Sequence, residues 1–97
     1  MQIDEFHLSK GTSAKIAYLN CLEEQEAWYT LYQKDKPSIL STKRYFILST
    51  NTFFSKEEAI SWYFSQDLSL LKYRKYTAGA LILQDNYYLF ITLPSKD

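Results

Sequence analysis

Residues 79–84 and 87–93 are two apolar runs separated only by Asp85-Asn86, and no other feature constrains the fold of this chain as much. Asp and Asn tolerate positive φ, so the dipeptide suits the tight turn of a two-residue β-hairpin. Such a turn sets a register that pairs Leu83 with Tyr88, Leu81 with Phe90, Ile82 with Leu89 and Ala80 with Ile91. The first two pairs share one face of the ribbon and the last two the other, so both faces are apolar. A small α+β domain ordinarily covers one face of its sheet with helices and wets the other. The second face here therefore calls for a cover, from the N-terminal helix or from another protein chain.

Two helices are expected to pack against that sheet. Ser55-Lys56-Glu57-Glu58 has capping-box spacing, in which the Ser55 hydroxyl accepts from the Glu58 amide, and it opens a helix over 56–67. At 100° per residue Ile60, Tyr63, Phe64, Leu68 and Leu71 gather on one side, which predicts the core face, while Glu58, Ser61, Ser65 and Gln66 take the other. Upstream, Thr12 or Ser13 caps a helix over about 13–33, in which Ala14, Ala17, Tyr18, Cys21, Leu22, Trp28, Tyr29 and Tyr32 share a face. A hairpin of 15–20 with 27–33 competes, because Trp28-Tyr29-Thr30-Leu31-Tyr32 is strand-prone. The helix is preferred. Residues 44–49 read as a strand followed by an Asn51-Thr52 turn, and Pro37 marks 34–42 as a loop. The fold class is α+β, in one domain over 1–97, with an antiparallel sheet ending in the C-terminal hairpin.

Composition narrows the chemistry. Seventeen of the 97 residues are aromatic, nine of them Tyr, against one His, one Cys and two Gly. Aromatics supply buried area and recognition surface, whereas His, Cys and Gly supply most metal sites, nucleophiles and phosphate cradles. There is no Cys-x-x-Cys, no His-x-x-x-His and no acidic calcium loop, so no metal and no cofactor is expected. Gly11 and Gly79 stand apart from any phosphate-binding pattern. The adjacent carboxylates Asp4-Glu5, Glu23-Glu24 and Glu57-Glu58 point about 100° apart on a helix and read as solvated surface. His7 and Cys21 would form a thiolate–imidazole pair only if the fold joined them; Cys21 as a small core residue and His7 on a flanking strand is preferred. No catalytic residue is assigned.

Eleven basic and eleven acidic residues cancel, so the chain as a whole exerts no strong pull on nucleic acid or anionic lipid. A single cysteine and the lack of a basic, apolar N-terminal leader point to the cytoplasm, and no apolar run reaches the roughly 20 residues of a membrane span.

The residues singled out for binding are Trp62, Tyr73, Arg74, Lys75, Tyr76 and Tyr87. Lys72-Tyr73-Arg74-Lys75-Tyr76 interleaves three cations with two aromatic rings, a mix that pairs with phosphates and stacks on bases, although a solvated connection between helix and strand accounts for it as well. Lys43 and Arg44 would extend that patch if the fold brought them near. Trp62 falls on the polar side of its helix, to be capped by its own domain or left as an interface anchor. Tyr87 flanks the hairpin turn opposite Gln84 and is expected to be accessible. Tyr18, Tyr29, Tyr32, Tyr63, Phe64 and Phe90 are assigned to the core.

The reading that follows is a small protein-binding module, an inhibitor, adaptor or immunity-type protein of the kind carried by phages or mobile elements. It would act on a larger partner through the hairpin and the second helix, or close a homodimer through the hairpin's second face. The alternative is an RNA-acting module, a single-strand binder or small toxin-type ribonuclease using residues 72–76.

Overall fold

The computed structural model describes residues 5–32, 38–66 and 77–92. The elements are β1 (Glu5–Lys10), α1 (Ala14–Tyr32), a 3-10 turn (Ser38–Ser41), β2 (Arg44–Phe53), α2 (Lys56–Ser65), β3 (Thr77–Leu83) and β4 (Tyr87–Thr92). The α+β class is as expected, but the sheet, expected to be antiparallel, is mixed, in the order β1-β4-β3-β2. β1 pairs with β4 and β3 with β4 antiparallel, whereas β2 lies parallel to β3. Parallel neighbours cannot be joined by a tight turn, which is why α2 intervenes between them in sequence.

Both helices start where the sequence caps them. The Ile16 amide donates to Ser13 Oγ and the Glu58 amide to Ser55 Oγ, at 3.3 and 3.1 Å. Residues 14–32 form one helix, so the competing hairpin is excluded, and α2 ends at Ser65 with the Gln66 amide donating to the Tyr63 carbonyl.

The helices pack on opposite faces of the sheet. On one side Leu81, Leu83, Leu89 and Ile91 meet Phe53 from β2 and Ala59 and Tyr63 from α2. On the other, Ala78, Ala80 and Phe90 meet Ala17, Tyr18 and Cys21 from α1 and Ile39 from the 3-10 turn. The doubly apolar hairpin thus sits between two layers of its own chain, and each strand shows the near-continuous burial that such a position demands. Fully burying a side chain the size of Phe90 or Leu81 contributes about 2–3 kcal/mol each.

The hairpin register differs from the expected one by a single residue. Ala80 pairs with Phe90, Leu81 with Leu89 and Ile82 with Tyr88. The turn itself is as expected: Asp85 and Asn86 have φ of 61° and 64°, and the Tyr87 amide donates to the Gln84 carbonyl at 3.3 Å. A turn that sets Gln84 opposite Tyr87 leaves Leu83 in excess on β3, because the next ladder pair is Ile82–Tyr88. Leu83 pairs instead with Phe53 on β2, and the Gln84 amide donates to the Phe53 carbonyl. This bulge turns the β4 side chains to the opposite faces from those a straight ladder gives.

β2 departs further from expectation. In place of an Asn51-Thr52 turn after residue 49, the strand runs on to Phe53. Its register against β3 jumps from Ile47–Ala80 to Thr52–Ile82, so residues 48–51 carry the excess, with the Asn51 amide satisfied by Ser49 Oγ at 3.1 Å. Leu48 folds over Gly79, where a Cβ would stand 2.8 Å from Leu48 Cδ1.

Candidate functional site

Of the six residues singled out for binding, Tyr73, Arg74, Lys75 and Tyr76 lie outside the described residues, as do Leu68 and Leu71 of the expected helix face. Trp62 is half-buried: its ring lies 5.7 Å from that of Phe53, and it packs on the Leu81–Leu89 side of the core. Periodicity assigned it to the polar side because that estimate took Ile60 as the centre of the inward face. The observed centre is Ala59 and Tyr63, which swings Trp62 inward and Phe64 out. Phe64 is correspondingly two-thirds exposed, touching Phe6 and Tyr63 only by ring edges, and is not a core residue.

Tyr87 is exposed, with the Lys10 ammonium 5.4 Å from its ring centroid. Alternation along β4 points it to the α2 side, with Leu89 and Ile91. Phe53, under Trp62, bonds the residue that opens the hairpin turn. Trp62 and Tyr87 therefore share one face and one end of the sheet, with the end of β3 between them.

A run of exposed aromatic side chains lies elsewhere, at the end of α1. The apolar stripe of α1 is buried at Ala17, Tyr18 and Cys21, but in its last two turns, 26–32, every side chain is exposed. Tyr29 and Tyr32, expected in the core, are solvent-facing, and so are Trp28 at 58% and Leu31 at 72% exposure. The physical reason is length. A 19-residue helix runs about 28 Å, whereas the six-residue β1 and β4 on which α1 packs run about 20 Å, so the stripe outlasts the strands beneath it. The Trp28 and Tyr32 rings stack with centroids 4.4 Å apart. On the opposite side of the helix, Glu23, Glu26, Ala27, Thr30 and Leu31 line a shallow open notch.

α1 is anchored nearer its start. The Tyr18 hydroxyl lies 2.6 Å from Thr42 Oγ1, which itself donates to the Ile39 carbonyl at 2.7 Å; Tyr18 is thus the donor in the first bond. Burial raises the Tyr18 pKa, which keeps that proton in place. Asn20 Nδ2 donates to the Lys10 carbonyl and Ser9 Oγ to Glu24 Oε1.

Cys21 is a buried free thiol, as expected, and burial, with the Glu24 carboxylate adding to it, pushes its pKa up to about 12. It stays protonated at neutral pH and is no activated nucleophile. His7 lies on β1, its Nε2–H donating to Glu5 Oε1 at 3.3 Å. Among the described residues no group of three or more His, Cys, Asp or Glu is placed to hold a metal ion, and no helix is long and apolar enough to cross a membrane. Comparison with protein-family models, curated proteins and solved structures finds no match to this chain.

Proposed function

We propose that this protein is a binding module of the inhibitor, adaptor or immunity type, which engages a larger protein through an aromatic surface. The observation that supports this reading is the exposed end of α1, where Trp28, Tyr29, Leu31 and Tyr32 continue a core-facing stripe past the edge of the core. Tryptophan and tyrosine in such positions are the side chains that dominate interface energetics. The hairpin, by contrast, has both faces covered by the chain's own helices, so the homodimer through its second face loses its motive. The binding surface moves accordingly from the hairpin to α1, with Tyr87 a secondary contact.

The test is capture of a partner from the source cells on immobilised protein, comparing the parent chain with Trp28→Ala and Leu31→Ala. The reading requires a stoichiometric protein partner whose binding both substitutions weaken while the thermal midpoint holds. Equal capture by all three proteins would count against the α1 surface. Tight binding to labelled RNA that weakens steeply with salt would transfer the function to residues 72–76.

A further inference from the structure

We infer that the outer side of α1 packs against a helix of a different protein, one that carries lysine or arginine among aliphatic residues. This side lies opposite Trp28 and Tyr32, so the inference goes beyond the aromatic surface of the reading above and can fail without it. Ile16, Leu19, Glu23, Glu26 and Thr30 fall within an arc of about 80° on α1, and the buried Ala17, Tyr18 and Cys21 centre roughly 180° away. A surface helix is ordinarily polar at that pole. Ile16 and Leu19 instead place two aliphatic side chains there, 44% and 51% exposed.

The spacing specifies a helix as the occupant. Positions 16, 19, 23, 26 and 30 alternate steps of three and four, the interval of a seam between paired helices. Glu23, Glu26, Ala27 and Thr30 stand at i, i+3, i+4 and i+7, the four positions that form a hole for one side chain of a facing helix. With Leu31 they line the open notch on this side.

The charge specifies which helix. After Lys15 α1 carries no base, and among the described residues none pairs with Glu23 or Glu26. An apolar helix on this seam would desolvate both carboxylates without a partner, which is strongly unfavourable. A lysine or arginine instead lays its aliphatic stem over Ala27 and brings its charge to the carboxylates. A second copy does not meet that need, because its α1 adds two further seam carboxylates and only one base, Lys15. The same carboxylates oppose nucleic acid and anionic lipid at this surface.

The experiment places a photo-cross-linking amino acid in the full chain at Leu19 and, as a control of similar exposure on the other side of the helix, at Tyr32. After irradiation in extract of the source cells, the cross-linked peptides are sequenced. The expected result is one protein joined from position 19, within a segment whose aliphatic residues and Lys or Arg recur every three or four positions. That segment, synthesised as a peptide, should become helical on binding the parent chain. Glu23→Lys with Glu26→Lys, and separately Ile16→Ser with Leu19→Ser, should each weaken its binding about tenfold. All four positions are exposed, so thermal midpoints should hold. Should the charge-reversed chain fail to fold, Glu23→Gln with Glu26→Gln is measured in its place, and weaker binding is again required. Cross-links to a second copy, to another part of the same chain, or to a segment without bases or helical spacing overturn the inference, and so do affinities that ignore these substitutions. A partner joined only from position 32 removes this inference and leaves the protein-binding reading standing. No protein joined from either position removes both.

Discussion

Trp28 and Tyr32 stack one turn apart on α1, with ring planes inclined by 27°, on a part of the helix where every side chain is exposed. An i,i+4 pair of this kind stabilises its own helix by a few tenths of a kcal/mol. The core does not depend on it. Trp62 is the opposite case: it packs on Phe53 and belongs to the α2-side cluster.

The two tryptophans should therefore respond differently to truncation. Trp28→Ala should change stability by no more than about 0.5 kcal/mol, as expected for an exposed side chain. Trp62→Ala should cost about 2 kcal/mol, less than a fully buried aromatic because part of the ring is already wet. Urea denaturation of both variants checks the contrast, and equal losses would mean that one of the burial assignments is wrong.

Gly11 closes the junction of β1, α1 and the hairpin turn. Its amide donates to the Asn86 carbonyl at 2.9 Å, and a Cβ there would collide with the backbone of Ala17, 2.8 Å from its Cα. Backbone cannot step aside, so Gly11→Ala should destabilise by about 2–3 kcal/mol. Gly79→Ala should cost less, about 1 kcal/mol, because the obstructing atom is the movable end of Leu48. Chemical denaturation of the pair ranks them, and a larger loss at Gly79 would contradict this account.

The relay from Tyr18 through Thr42 to the Ile39 carbonyl ties α1 to the approach into β2. Tyr18→Phe should cost about 1 kcal/mol, the net value of one hydrogen bond. Thr42→Val should cost more, about 2 kcal/mol, since it leaves the part-buried Tyr18 hydroxyl without its acceptor. A double-mutant cycle should return a coupling energy above about 0.5 kcal/mol; additive losses would show that the bond contributes nothing.

His7 should make the fold sensitive to mild acid. Burial lowers its pKa below 6.5, outweighing the raising effect of the Glu5 carboxylate, while Lys56 lowers it further. With the folded value below the unfolded one, the unfolded chain takes up the proton first on acidification. This contribution to stability is whole above about pH 6.5 and is lost as pH falls from there to the depressed folded value. Thermal midpoints measured from about pH 7.5 to 5.5 should fall less in His7→Gln than in the parent chain. Parallel pH profiles would show that His7 is not the group responsible.

Local signals in this chain were legible and gave the right local structure. Ser13 and Ser55 cap their helices, Asp85-Asn86 turns the hairpin with positive φ, and Cys21, Tyr18, Tyr63 and Phe90 are buried as their spacing implied. What was misread lay one step beyond local geometry. The hairpin register moved by one residue because β3 accommodates Leu83 against a third strand, a partner that turn chemistry cannot see. Trp62 and Phe64 exchanged places because a rotation of α2 by a fraction of a turn is set by what it packs on.

The aromatic surface at the end of α1 shows the same limit most clearly. Its stripe was visible as a periodic pattern, and the pattern carried no mark of where the supporting sheet would stop. The apolar alternation, capping residues and turn dipeptide determined which elements form and that the hairpin needs cover on both sides, since these depend on neighbours a few residues apart. Only the tertiary structure decided which helix supplies each cover and which part of α1 is left over. Those outcomes depend on the length of one element against another and on the register between strands distant in sequence. The exposed aromatics at the end of α1, Trp28, Tyr29 and Tyr32, were thereby selected by the extent of the core and not by their own chemistry.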